Sequence, residues 1–86
     1  MVQNTITIAN ATGLHTRPAK RIVAKAKEYE STLTLTFGEK QADLKSLLKV
    51  MKLGITGRKE VTLSCQGPDE ETALAELTHA LEHLED

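Results

Sequence analysis

The chain has 86 residues, 40% hydrophobic and 27% charged, which is typical of one globular domain and not of a disordered segment. With a net charge of −1, one Tyr, one Phe and no Trp, the composition argues against nucleic-acid binding, which uses a basic surface or aromatic side chains for base stacking. No apolar run approaches the roughly 18 residues that span a bilayer, and the single Cys65 suits a reducing compartment, so we expect a cytoplasmic protein without direct membrane insertion.

The first two predicted elements are a strand and a helix. Val2, Ile6 and Ile8 share one parity with polar residues between them, as in a half-buried strand. The run 9–13 ends this strand. From about Thr16 to Lys27 the period becomes helical, with apolar residues at Ala19, Ile22, Val23 and Ala26. Pro18 lies in the first turn, where its missing N–H costs nothing.

Two strands and a short helix follow. Thr32 to Phe37 alternates apolar and polar residues, and Gly38-Glu39 has the composition of a two-residue hairpin turn. This turn leads into a strand from Lys40 to Asp43. A short helix is predicted from about Leu47 to Leu53, with Ser46 as its N-cap.

The last two elements are a strand and a helix. Glu60 to Gln66 alternates again, with Val61, Leu63 and Cys65 expected to face inward. Asp69 is the predicted N-cap of a final helix, whose apolar stripe comprises Ala73, Leu74, Leu77, Ala80, Leu81 and Leu84. Because each strand has one apolar face, we predict a two-layer α+β sandwich with helices on one face of the sheet and water on the other. The single domain spans residues 1–86.

The segment Gly13-Leu14-His15-Thr16-Arg17-Pro18-Ala19 places a histidine immediately before a helix. The first N–H groups of a helix have no acceptor within it, and the aligned peptide dipoles add about half a positive charge there. This environment favours an anion and the uncharged form of the His15 imidazole, which can attack phosphorus.

A phosphoryl group on this ring would find donors nearby. These are the backbone N–H groups of Thr16 and Arg17 and the Arg17 guanidinium, whose planar fork matches phosphate. Gly13 can adopt a backbone conformation closed to other residues and so direct the ring outward. Taken alone, the pattern also fits a polar histidine before a helix beside an exposed arginine.

The segment resembles the signature of HPr, the histidine phosphocarrier family of the bacterial phosphoenolpyruvate-dependent sugar phosphotransferase system. The likeness covers the whole chain, including Lys45-Ser46-Leu47-Leu48, Leu53-Gly54-Ile55 and Gly67-Pro68-Asp69-Glu70. It implies an open-faced sandwich in which three helices cover one face of a four-stranded antiparallel sheet.

The resemblance also implies a function. Enzyme I would phosphorylate His15 at Nδ1, Arg17 would steady the phosphoryl group, and IIA components of sugar permeases would receive it. The protein would then be a monomeric phosphoryl-transfer intermediate without a cofactor or metal, rather than an autonomous catalyst.

The short helix has more apolar residues than one buried stripe requires. We therefore predict an exposed apolar patch of Leu47, Leu48 and Met51, ringed by lysines that include Lys49. The alternative is that these apolar residues all belong to the core. In the HPr family this region docks Enzyme I and the IIA proteins, so the resemblance implies a partner-binding surface.

Ser46 has a second interpretation besides N-cap. In HPr proteins of many Gram-positive bacteria the corresponding serine is phosphorylated by a dedicated kinase. An alternative function for this chain is therefore a regulatory binding module, with that kinase and a catabolite regulator as partners. Lys49 departs from the glycine usual in such proteins, whereas Met51 resembles them. A further alternative is a paralogous carrier of a nitrogen-related phosphotransferase system, with the same His15 chemistry.

The charge is distributed unevenly along the chain. Residues 1–59 hold all eleven Lys and Arg against four acids, a net +7, whereas residues 60–86 hold eight acids and no base. The pattern fits either solvated faces that cancel or a basic surface for an acidic partner.

His79 and His83 have a metal-ligand spacing but no evident third ligand, so we interpret them as solvated surface. Cys65 is interpreted as a buried, inert thiol.

Overall fold

The computed structural model describes residues 1–10 and 13–84 and has the predicted element order. The strands are β1 (Val2–Thr7), β2 (Thr32–Phe37), β3 (Lys40–Asp43) and β4 (Glu60–Gln66), and the helices are α1 (Thr16–Ala26), α2 (Leu47–Lys52) and α3 (Glu70–Glu82). Helices α1 and α2 each end one residue earlier than predicted. Within the predicted break 9–13, Ala11 and Thr12 lie outside the described residues.

The four strands form one antiparallel sheet in the order β1-β4-β2-β3. Its register pairs Ile6 with Val61 and Leu35 with Leu63, so the apolar side chains of neighbouring strands share one face. Helix α3 packs over β1 and β4, α2 contacts β3, and α1 contacts both other helices. The open-faced sandwich is therefore confirmed.

The core lies between this sheet and the helices. The sheet contributes buried Ile6, Leu33, Leu35, Ala42, Val61, Leu63 and Cys65, and the helices contribute Ala19, Ile22, Val23, Ala26, Val50, Ala73, Leu77 and Leu81. On the opposite face, Thr5, Thr62 and Thr36 are in register across three strands. The two faces thus differ in polarity as the alternating patterns predict.

Cys65 is completely buried in this core, as predicted. Burial raises the pKa of its thiol to about 11, because a low-dielectric surrounding disfavours the thiolate. The thiol is therefore unreactive in the folded protein.

Among the described residues, no helix combines the length and the apolar character that a membrane crossing requires.

Asp69 occupies the N-cap position of α3, but its side chain does not cap the helix. Its carboxylate instead accepts hydrogen bonds from the Ser31 hydroxyl and from the backbone N–H groups of Ser31 (3.0 Å) and Glu30 (2.9 Å). These bonds, first the one from the Ser31 hydroxyl, lower the pKa of Asp69 by stabilising its charged form. The prediction that Asp69 caps α3 is corrected in this respect: the side chain ties α3 to the segment after α1.

Candidate phosphoryl-acceptor site

The loop before α1 is held against the segment that precedes β4. Gly13 has φ +72°, and a Cβ at this position would lie 2.5 Å from the Ile55 carbonyl oxygen. Leu14 is buried and its N–H donates to the same carbonyl at 3.2 Å. Asn10 Nδ2 donates to the Gly13 carbonyl at 2.8 Å. These contacts position the backbone immediately before His15.

His15 is the N-cap residue of α1, and its carbonyl accepts the Ala19 N–H at 2.9 Å. The half-buried ring makes no capping hydrogen bond. Its Nε2 is shielded from solvent and has no hydrogen-bond partner among the described residues, whereas Nδ1 is not buried. The prediction that the His15 ring is directed to solvent therefore holds for Nδ1 but not for Nε2.

The first turn of α1 offers hydrogen-bond donors beside this ring. In the described part of the chain, the N–H groups of Thr16 and Arg17 bond to no acceptor, as expected at a helix start. The Arg17 side chain is exposed and forms no ion pair with a described residue. The backbone N–H groups and the guanidinium predicted to hold a phosphoryl group are therefore not engaged with other described residues.

Lys20 and Arg21 extend the positive charge of this site. Together with His15, Thr16 and Arg17 they line one concave surface. Between residues 1–10 and 13–84 the one ion pair joins the N-terminus to Glu70, so none of these cations is paired with an acid in those ranges. Lys20 and Arg21 were not predicted as site residues, although residues three and four positions after Arg17 lie on the same face of a helix.

The apolar surface of α2 is smaller than the predicted patch. Leu48 is 68% exposed, whereas Leu47 and Met51 are half-buried and pack against the core. Lys49 is exposed next to Leu48, and Val50 is buried. Leu48 is thus the main apolar side chain that this helix exposes.

Ser46 is the N-cap of α2, as predicted. Its hydroxyl accepts a hydrogen bond from the Lys49 N–H at 3.4 Å, and the residue is half-buried. The neighbouring Lys45 extends its ammonium group to the Tyr29 carbonyl at 2.7 Å. Ser46 therefore has a structural role, and its phosphorylation stays a prediction.

His79 and His83 lie on α3 and at its end, and their ring centroids are 4.2 Å apart. The carbonyl of His79 lies 2.8 Å from Nδ1 of His83. Within residues 1–10 and 13–84, no group of three His, Cys, Asp or Glu side chains could hold a metal ion. Both histidines are exposed, in agreement with their interpretation as surface residues.

Comparison with known proteins identifies the family. The profile of the family described as the PTS HPr component phosphorylation site matches residues 2–83. Phosphocarrier proteins HPr from Buchnera aphidicola and Haemophilus influenzae are 38% and 39% identical to the chain over 85 residues, which cover 99% of this chain and 100% of each relative. The structure of the histidine-containing phosphocarrier protein from Mycoplasma is 30% identical, with a TM-score of 0.89, over 93% of this chain and 91% of that chain. The chain therefore belongs to the HPr family of phosphocarrier proteins of the phosphotransferase system.

Proposed function

We propose that this protein accepts a phosphoryl group from phosphorylated Enzyme I on Nδ1 of His15 and passes it to IIA components of sugar permeases. The observation that carries the proposal is the position of His15 at the N-terminus of α1, with Nε2 buried and Nδ1 accessible. Family membership supports the same chemistry. In this role the protein is a transfer intermediate, a monomer of one domain (1–86) in the cytoplasm.

Both transfer steps use the same nitrogen. In the first, the Nδ1 lone pair forms a bond to phosphorus, the bond between phosphorus and its donor atom on Enzyme I breaks, and that electron pair stays on Enzyme I. In the second, a nucleophile of the IIA protein attacks phosphorus and the electron pair of the P–N bond returns to Nδ1 of His15. No electrons are gained or lost overall.

The groups around His15 stabilise the phosphoryl group without trapping it. Its oxygens accept hydrogen bonds from the N–H groups of Thr16 and Arg17 and from the Arg17 guanidinium. The helix N-terminus contributes about 0.3–2 kcal/mol toward a negative group, which is small enough for the group to leave again. Leu48 and Lys49 on α2 add an apolar and a positive contact for docking partners.

The test is phosphorylation of the purified protein by Enzyme I with labelled phosphoenolpyruvate. Wild type should become labelled and then transfer the label to a sugar-type IIA protein, whereas His15→Ala should take up none. Thermal unfolding of His15→Ala should establish that the variant is folded. Normal labelling of His15→Ala would refute the proposal. Transfer to a nitrogen-type IIA protein alone would assign the chain to the paralogous branch.

A further inference from the structure

A second groove lies between α1 and α3, next to the phosphoryl-acceptor site. It is lined by Pro18, Arg21, Ile22, Lys25, His79, Ala80, His83 and Leu84. Arg21 lines both this groove and the concave surface around His15. The two surfaces therefore adjoin each other at the Arg21 side chain.

The groove combines positive charge with an apolar interior. Its polar groups are Arg21 and Lys25 from α1 and His79 and His83 from the α3 side, and none of the described residues that line it is acidic. Neither Arg21 nor Lys25 forms an ion pair with a residue in the described ranges. The other lining residues are apolar and are buried or half-buried. Such a surface complements carboxylates that flank an apolar side chain.

We infer that this groove docks an acidic segment of the protein that exchanges the phosphoryl group with His15. The inference rests on the proposed function and adds a specificity surface to it. Because Arg21 borders both surfaces, a partner seated over His15 lies next to the groove, and the unpaired cations favour a partner segment rich in Asp or Glu. The apolar lining accepts a single aliphatic side chain of that segment.

The first experiment compares two lysine variants in phosphorylation by Enzyme I at low salt. Lys25→Gln removes a charge from the groove, and Lys40→Gln removes the same charge from β3, at the edge of the sheet. Lys25→Gln should raise the KM for the carrier about two- to fivefold, as for the loss of an exposed ion pair, with kcat unchanged. Lys40→Gln should behave as wild type. Equal KM values for the two variants would overturn the docking groove and leave the His15 relay intact, whereas a wild type that Enzyme I does not phosphorylate would overturn both.

The second experiment follows the ring signals of His79 and His83, which line the groove, in NMR spectra of the protein. Enzyme I should shift these signals, whereas millimolar inorganic phosphate should not. Unchanged ring signals with Enzyme I, or equal shifts with phosphate alone, would overturn the inference.

Discussion

At the scale of single residues, the position of the His15 ring depends on contacts made by its neighbours. The ring nitrogens differ because Nε2 is buried by the surrounding structure, and the ring is placed by a backbone that the Gly13 and Leu14 contacts to Ile55 hold in position. Gly13 meets two conditions there, a positive φ and a close approach of backbone atoms. A residue with a side chain at this position would strain the backbone and would also clash with the neighbouring backbone atoms.

Gly13→Ala should therefore destabilise the protein more than Gly38→Ala. Both glycines have positive φ, but an added Cβ at Gly13 meets the Ile55 carbonyl at 2.5 Å, whereas one at Gly38 has nothing within 4 Å. We expect a loss of about 1–2 kcal/mol for Gly38→Ala from backbone strain, and about 2–4 kcal/mol for Gly13→Ala from strain and clash. The measurement is the urea midpoint at constant m-value. Equal losses would mean that the clash relaxes without cost.

At the scale of secondary structure elements, side chains at helix starts make contacts that differ from one helix to the next. Ser46 caps α2 through the Lys49 N–H, whereas the Asp69 carboxylate at the start of α3 bonds to Glu30 and Ser31. One carboxylate thereby connects two elements that are far apart in sequence. This connection depends on the negative charge of the Asp69 carboxylate.

Stability should therefore decline in acid. The pKa of Asp69 is lowered in the folded protein, so its contribution is present above its unfolded value of about 3.9 and is lost as the pH falls through the lower folded value. Glu70, which accepts the Gly67 N–H, also has a lowered pKa and acts in the same direction. Urea unfolding should show that Asp69→Asn is destabilised at neutral pH and loses less stability than wild type on acidification. Glu71→Gln, on the same first turn, is the matched control and should follow wild type.

Substitutions of Ser46 should separate capping from charge at the start of α2. Ser46→Ala removes the acceptor of the Lys49 N–H and should cost about 0.5–1 kcal/mol of stability, with phosphorylation by Enzyme I nearly unchanged. Ser46→Asp retains an acceptor and stability but places a negative charge beside Leu48 and Lys49, so the KM with Enzyme I should rise. Unfolding and phosphorylation assays on both variants provide the readouts. An unchanged KM for Ser46→Asp would argue against docking at this helix.

At the scale of the whole molecule, opposite charges lie in different parts of a nearly neutral chain. The first 59 residues carry a net +7, and the cations of α1 around His15 have no acidic partner among the described residues. The acids of the last part of the chain include Asp69, Glu70 and Glu71 at the start of α3. The field around His15 is thus positive although the net charge is −1.

Transfer from Enzyme I should accordingly weaken with salt. When the ionic strength rises from about 0.01 M to about 0.15 M, the Debye length falls from about 30 Å to about 8 Å and long-range attraction is screened. We expect kcat/KM to fall about tenfold, mainly through KM, because electrostatic steering acts on the encounter and not on the P–N bond. Steady-state kinetics with carrier at several salt concentrations provide the measurement. A salt-independent KM would contradict an electrostatic role for this surface.

The local sequence pattern was sufficient for the elements themselves. Alternation over Thr32–Phe37 and Glu60–Gln66 and the hairpin residues between β2 and β3 predicted strands whose bounds agree with the structure. The position of His15 before α1 was equally predictable, because apolar periodicity and helix-start chemistry involve residues only two to four positions apart. The predicted ends of α1 and α2 each lay one residue too far along the chain, since a helix terminus adds few contacts.

The tertiary structure alone decided which distant residues meet. It placed β4 between β1 and β2, brought the Asp69 carboxylate to Ser31, and buried Nε2 of His15 while Nδ1 stayed accessible. It also joined Arg21 and Lys25 to His79 and His83 in one groove. The local apolar pattern of a segment indicates which of its side chains are buried. The contacts between distant residues depend instead on how the helices and the sheet pack around a shared core, and no single segment determines that packing.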